Sequence, residues 1–523
     1  MNPLIAALSK RAGDDVVIEV PGRAITASEL LDNIAELQAA LIGFGIDRLG
    51  LLAGNSAAWV TTDLACQSAD ICLLPLPVFF ADTQLLHSIN SVGVDAVLTD
   101  DPLRVTKMLD PLQVADKSDL DNSELTDFER RFGLTLLRLN VQPQPELPAG
   151  TQKITFTSGS TGAPRGVCLG SEQQIAVAHA LDQALQLKAP RHLCLLPLST
   201  LLENVGGIYH SLLTGGSVSV PPETDTGFSG STGLDMLSLL QALYNHRPTS
   251  IILLPQMLVG LVAALEEGWQ PPAELRFAAV GGAKVSAELI RRARQFGLPV
   301  YEGYGLSETA SVACMNHPGQ EQIGSVGRPL SHVEVSTTSG EVIITGNSLL
   351  GYLDDPASWG TQSVATGDLG EFDEEGFLHL QGRRKSVLIS SFGRNISPEW
   401  IESELLLHPE LSQCIVFGDA RPYCIALIRP AGPDVSDRQV QQLLGSVNAN
   451  LPDYARIQRW HRMMHPLGHA AGLYTENGRP RRAAIADHFA PEIAALYCEI
   501  APDTSAGSES ATSHADLMRR ASL

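Results

Sequence analysis

Residues 153–167 read KITFTSGSTGAPRGV. A strand-like lead, Ile154 to Thr157, runs into a loop dense in Gly, Ser and Thr. Thr157, Ser158, Gly159, Ser160, Thr161 and Gly162 supply N–H and O–H donors on small, permissive backbone, a composition that can wrap phosphate oxygens. Arg165 adds a fixed positive charge next to Gly166. The stretch is not a Walker loop, because G-x-x-x-x-G-K-[ST] is absent. The chain contains its own control: SGSTG recurs at residues 229–233, without the preceding strand or the following Pro-Arg-Gly. That second copy reads as a plain surface loop, so the weight rests on the eleven-residue context TSGSTGAPRGV.

Other chemistries find less support. No C-x-x-C pair occurs among the eight cysteines, and the fourteen histidines show no H-E-x-x-H or other ligand spacing. Reduced, buried thiols and structural or exposed histidines (His317, His408 and His465 among them) are expected, with Cys314 in a packing role. The formal charge is -22, from 36 basic and 58 acidic residues, which disfavours nonspecific nucleic-acid binding and anionic membrane surfaces. Any polyanion must therefore be bound by a local site. The apolar runs from Ile71 and Ile251 both contain Pro and fall short of the ~20 residues that span a bilayer. With an N-terminus unlike a signal peptide, no transmembrane segment and a cytoplasmic location are expected.

The elements that must position the loop follow from periodicity. At 523 residues the chain exceeds the ~250–300 of a single core, so at least two domains are expected. Residues 27–44 carry apolar side chains at helical spacing, with Thr26 or Ser28 as N-cap. Strand-like runs such as DAVLT, SIILLP, RFAAVGG and LPVYEGYG alternate with such helices. That alternation predicts layered α/β structure with mostly parallel strands. After about residue 331, VEVSTTSGEVIIT and EEGFLHLQG read as β-hairpins, and an α+β module of roughly a hundred residues follows the GRRK at 382–385. The expected organisation is a large N-terminal domain over 1–382, a small mobile α+β domain over 383–500, and a disordered tail over 501–523.

TSGSTGAPRGV resembles the phosphate-loop signature of the adenylate-forming superfamily, which includes acyl-CoA synthetases, peptide-synthetase adenylation domains and luciferases. Further segments match in family order: RFAAVGGAKVS, YEGYGLSET, ATGDLGEFDEEGFLHLQGRRKS, SFGRNISPEWIE and TENGRPRR. The resemblance spans nearly the whole chain, and a long-chain fatty-acid branch is the most similar. It implies that Gly282 and Ala283 line the acyl and adenine pockets, and that Gly303, Tyr304, Gly305 and Ser307 belong to the adenine motif. Tyr304 would stack on adenine, Ser307 would contact phosphate and Glu308 would hold Mg²⁺, roles that suit a flat ring and a hard carboxylate. Asp368 would take the ribose hydroxyls. Arg383 would join it or form a surface salt bridge. Lys385 would be the hinge or an ordinary exposed lysine. Glu203, in LPLSTLLENVGG, would be costly to bury without a role, so it is read as functional or exposed.

Three positions depart from the family pattern. Arg165 stands where Pro-Lys-Gly is usual, Ser386 follows the hinge where an acidic residue is common, and Arg479 stands where a lysine normally bridges the acyl carboxylate and the α-phosphate. Arg481 and Arg482 are alternatives for that role, with position favouring Arg479. Arginine keeps the charge but presents a planar fork instead of a point donor. The activity implied is ATP- and Mg²⁺-dependent activation of a carboxylic acid to an acyl-AMP, then transfer to CoA as co-substrate. A medium- or long-chain fatty acid is the substrate expected. The alternatives are another acceptor (an acyl carrier protein or a hydroxyl) or a homologue that binds without turnover.

Overall fold

Short apolar, β-rich runs become strands, and the periodic segments between them become covering helices. The computed structural model describes residues 2–109, 131–140, 144–157, 165–229, 233–384, 386–389, 391, 395–468, 472–475 and 479–497. The helix Ala27–Gly43 illustrates the local rule. Thr26 is its N-cap, accepting from the Glu29 N–H at 3.2 Å, and Leu30, Ile34, Leu37 and Leu41 form one buried stripe. Ser28 lies inside the helix.

Two sheets dominate the N-terminal part. In the nine-stranded sheet six strands run parallel: Val16–Val20, Ser217–Ser219, Arg191–Leu193, Ser250–Leu253, Phe277–Val280 and Val300–Leu306. Antiparallel strands close both edges. The seven-stranded sheet has four parallel strands at its centre, Lys153–Thr157, Cys72–Pro75, Arg48–Leu52 and Ala96–Thr99. Burial of every residue in Cys72–Pro75 and Ala96–Thr99 explains the near-continuous apolar runs there. A separate antiparallel sheet of Val333–Thr338, Glu341–Gly346, Ser363–Phe372 and Leu378–Arg383 carries the two expected hairpins.

The C-terminal part is built on Leu411–Phe417, Cys424–Pro430 and Ile457–Arg462. Alternation sorts its core. Val416, Ala426 and Ile428 pack with Ile401 and Leu405 of the helix Pro398–Leu405 and with Val440 and Leu444 of Asp437–Asn450. Ile415 and Leu427 face the other way, against Leu473, Tyr474 and Ile485. The N- and C-terminal parts touch where Ser286 Oγ donates to Glu404 Oε1 at 3.1 Å.

Two sequence expectations change. Phe228–Ser229 and Gly233–Leu234 pair as a short hairpin, so the second SGSTG copy is not a plain loop; its residues 230–232 lie outside the described set. Glu203 is neither exposed nor idle, because it is fully enclosed and hydrogen-bonded, as detailed below. Lys153 is 1% exposed at the foot of the strand that leads into the Gly/Ser/Thr loop. Its Nζ reaches Asp63 Oδ1 at 2.7 Å and donates to Asn204 Oδ1 at 2.6 Å, while Tyr209 Oη donates to Asp63 Oδ2 at 2.6 Å. Burial pulls the Lys153 ammonium below its ordinary range, and Asp63 opposes this. The tail over 501–523 and any helix at its end lie outside the described residues. Among the described residues the seven cysteines are buried and free, and no helix is long and apolar enough to cross a membrane.

Removing one partner of this network strands a buried charge. Asp63→Ala is expected to lower the stability of the N-terminal part by about 3–5 kcal/mol. Denaturant unfolding followed at that part's own transition checks this; a loss below about 1 kcal/mol would mean that the pair is solvated.

Candidate active site

The strand Val300–Leu306 delivers most of the adenine-motif residues to one end of the nine-stranded sheet. Its glycines are there for contact. A Cβ on Gly303 would meet Met315 Sδ at 2.4 Å, and one on Gly305 would meet the Ser311 carbonyl oxygen at 1.7 Å. Only glycine lets this strand lie so close to Ser311–Met315. The turn between them, Ser307–Thr309, ends in two non-glycine residues at positive φ, Ala310 at 57° and Ser311 at 129°. Such backbone costs about 1–3 kcal/mol per residue and persists where surroundings impose it. It holds Ser307 and Glu308 at the sheet's edge.

Tyr304 Oη donates to Asp368 Oδ2 at 2.6 Å, and Arg383 Nε contacts Asp368 Oδ1 at 2.9 Å. Asp368 and Arg383 are register partners in the hairpin Ser363–Phe372/Leu378–Arg383, which explains how residues fifteen apart meet. Burial, then the charge of Asp368, raises the Tyr304 phenol far above its usual range. Each Asp368 oxygen keeps a lone pair for a further donor.

On the other side, Arg165 opens the strand Arg165–Leu169. Its guanidinium lies 3.7 Å from the centre of the Tyr352 ring, and it contacts Asp355 at 3.3 Å. Tyr352 Oη in turn donates to Glu308 Oε1 at 3.1 Å. Tyr352 therefore joins the cation beside the loop to the carboxylate of the adenine motif. The sequence carried no signal for it, since an isolated tyrosine before two aspartates has no spacing to read. Thr157 pairs directly with Arg165, so the loop between them is rooted at one hairpin end beside this trio. Ser158, Gly159, Ser160, Thr161 and Gly162 lie outside the described residues, as does the side chain of Thr157. Gly166 faces inward, where a Cβ would press on Leu353 at 3.0 Å, so its need is packing.

The third contributor comes from the C-terminal part. Arg479 Nη2 donates to the carbonyl oxygen of Gly282 at 2.8 Å. Gly282 adopts φ 86° and, with Ala283, is exposed. Arg479 is exposed. Partial desolvation beside the N-terminal part, then the like charge of Arg383, lowers its guanidinium from the usual range, while Asp368, Glu399 and Tyr304 hold it up. Of the three candidate arginines only Arg479 makes this crossing, because Arg482 is bonded to Glu402 and Val416 within its own domain. Lys385 lies outside the described residues, as do Gly393 and Arg394.

Two buried acids were missed or misjudged. Glu302, one residue before Gly303, is 7% exposed, and burial pushes its carboxyl up to about 8 against the opposing charge of Lys284. Burial also lowers Lys284, whose ammonium donates to the Leu380 carbonyl at 2.8 Å. Glu203 contacts His192 Nε2 at 2.6 Å and accepts from the Leu196 N–H at 3.1 Å. His192, Cys194 and Glu203 present ligand-type atoms within 4.8 Å of one another. They already bond among themselves, and Gly207 packs so close that a Cβ would meet His192 Nε2 at 2.4 Å. The group bonds within itself as a core network.

Residues 6–346 match the family model of AMP-binding enzymes, and residues 385–501 match that of the AMP-binding enzyme C-terminal domain. The long-chain-fatty-acid–CoA ligase FadD15 of Mycobacterium bovis is 22% identical, covering 90% of this chain and 92% of that protein. The 2-succinylbenzoate–CoA ligase of Bacillus subtilis is 28% identical over 71% of this chain and 75% of that protein. Among solved structures, an anthranilate CoA ligase in complex with anthranoyl-AMP superposes with TM-score 0.78 at 18% identity, covering 94% of this chain and 98% of that one. The O-succinylbenzoate CoA synthetase of Bacillus subtilis with ATP and magnesium gives 0.70 at 22% identity, covering 92% and 98%. At these identities the structural likeness establishes the fold.

Glu302 makes a pH prediction. A carboxyl whose folded value lies above its unfolded one, about 4.3, favours the native state while protonated. That contribution is complete below the unfolded value and is lost as pH rises through about 8. Thermal midpoints of the wild type are therefore expected to fall from pH 5 to pH 8 more steeply than those of Glu302→Gln. Equal slopes would show that Glu302 is ionised throughout.

Proposed function

The chain belongs to the AMP-binding enzyme family, and we propose that it is an acid–thiol ligase that activates a carboxylic acid with ATP and passes the acyl group to CoA. The observation that carries this reading is the crossing of Arg479 from the C-terminal part to Gly282, beside the Asp368–Tyr304–Arg383 group. A cation carried from one part to the edge of the other suits chemistry between two anions. A carboxylate oxygen attacks the α-phosphorus, a carbon–oxygen–phosphorus anhydride forms, the bond to the β-phosphate oxygen breaks, and pyrophosphate leaves. Barriers of this sort yield mainly to alignment and to charges placed where negative charge grows.

The residues divide that work. Asp368 offers free lone pairs to ribose hydroxyls, with Arg383 and Tyr304 fixing its plane. Arg165 is stacked on Tyr352, and the Gly, Ser and Thr donors of residues 158–162 are proposed to take the phosphates. Glu308, oriented by Tyr352, suits a hard divalent cation, and one carboxylate plus substrate phosphates is an ordinary ligand set for Mg²⁺. When bound, the cation supplies charge neutralisation for the phosphates. Arg479 takes the bridging place between carboxylate and α-phosphate. Lys385 is proposed as the hinge about which the C-terminal part turns, so that the CoA thiol can attack the acyl carbon. The thiol loses its proton, the thioester forms, and AMP departs. The proposed domain boundary lies at 382/383.

For the acid, a medium- or long-chain fatty acid is proposed, supported by the match to a long-chain ligase over nearly the full chain. The matches to 2-succinylbenzoate ligases support an aromatic acid as second reading. The test is product analysis with ATP, Mg²⁺ and a panel of fatty and aryl acids, with and without CoA. Acyl-CoA and pyrophosphate are expected with CoA; acyl-AMP that persists despite CoA would point to a carrier protein or hydroxyl acceptor, and binding without products would refute the reading. Arg479→Ala is expected to slow the first step by about 10²–10³-fold. Arg479→Lys should shift the rate in either direction, and an unchanged rate would remove Arg479 from the mechanism.

A further inference from the structure

Arg479 reaches across the cleft, but what aims it lies elsewhere. Three residues on, Arg482 begins the helix Arg482–His488. Its Nη1 donates to Glu402 Oε1 at 2.5 Å and to the Val416 carbonyl at 2.9 Å, and its Nη2 donates to Glu402 Oε2 at 3.1 Å. Glu402, 7% exposed, also accepts from the Val416 N–H at 2.7 Å. A guanidinium gripping both oxygens of an enclosed carboxylate has one orientation available.

The backbone between this pair and Arg479 is closed on itself. The Thr475 N–H donates to the Arg479 carbonyl at 2.7 Å, the Arg479 N–H donates to Thr475 Oγ1 at 3.0 Å, and the Arg481 N–H donates to the Leu473 carbonyl at 2.8 Å. The helix that carries Glu402, Pro398–Leu405, also carries Glu404, which accepts from Ser286 Oγ of the N-terminal part at 3.1 Å. One short helix thus holds the Arg479 segment on one side and the opposing domain on the other.

We propose that Glu402 and Arg482 are positioning residues: a staple that fixes the Arg479 segment to Pro398–Leu405, so that docking of this helix through Glu404 on Ser286 sets where Arg479 points. The proposal rests on the adenylation reading above. Stability alone is a weak reason to keep a buried ion pair, since apolar residues of similar volume often serve as well. An apolar pair could fill the space but could not orient the segment.

The test uses the full-length protein. Glu402→Gln keeps the volume and an acceptor for Val416, and Arg482→Lys keeps the charge but loses the fork, so the second variant serves if the first does not fold. Pyrophosphate release without CoA reads the first half-reaction, and thioester formation from supplied acyl-adenylate reads the second. Glu402→Gln is expected to lower kcat of the first by about 10²-fold, with KM for ATP and the second half-reaction little changed. In an Arg479→Ala background the same change should cost nothing further. Hydrogen exchange at the Thr475, Arg479 and Arg481 amides should rise. Equal loss in both half-reactions, additive loss, or unchanged exchange would overturn the staple. If the wild type forms no acyl-adenylate, the functional reading fails, and exchange at the three amides still decides the staple.

Discussion

Bringing two anions together inside a chain of net charge -22 is the constraint on which this structure turns. The overall field opposes it, but salt screens that field within about 8–10 Å, so local cations decide the outcome. Each cation in the cleft is tied to a group that aims it. Arg165 is stacked on Tyr352, Arg383 is paired with Asp368, and Arg479 is held by a closed segment of backbone. A flexible lysine on a free surface would meet the charge requirement without the geometric one. The arginines at 165 and 479 are therefore consistent with a site that works by planar, directed contacts.

The supporting architecture serves the same end. The strand Val300–Leu306 of one sheet and the strand Arg165–Leu169 of the other meet at their ends through Tyr352, which touches both Glu308 and Arg165. Backbone that would be unfavourable elsewhere, at Ala310 and Ser311, is accepted beside Glu308. Beneath the phosphate-loop strand, Lys153 is neutralised by Asp63 and bonded by Asn204 and Tyr209, so the strand's foot has a single arrangement. The hairpin that pairs Asp368 with Arg383 lies immediately before the C-terminal part, which sets the proposed ribose contact next to the proposed point of domain movement.

Local pattern was enough for much of this. Strand–turn–helix alternation conveyed the layered class, since each buried face needs a cover. Polar turns between β-branched runs conveyed the hairpins at Val333–Gly346. Thr26 was readable as a cap because its hydroxyl acts within three residues. What stayed hidden depends on contacts remote in sequence. Tyr352 meets Glu308 across forty-four positions, and Lys153 meets Asp63 across ninety. Glu203 looked exposed or functional because its satisfying partner, His192, sits on a different element. The choice among Arg479, Arg481 and Arg482 required knowing that Glu402 claims the last of them.

The step proposed for this site, with Arg479 in place, joins a carboxylate to the α-phosphate of ATP. Acid-dependent exchange of radiolabelled pyrophosphate into ATP, run without any thiol acceptor, reports that step alone and in both directions. Exchange that requires both Mg²⁺ and a carboxylic acid is expected. Exchange absent with every acid, while ATP still binds, would contradict it.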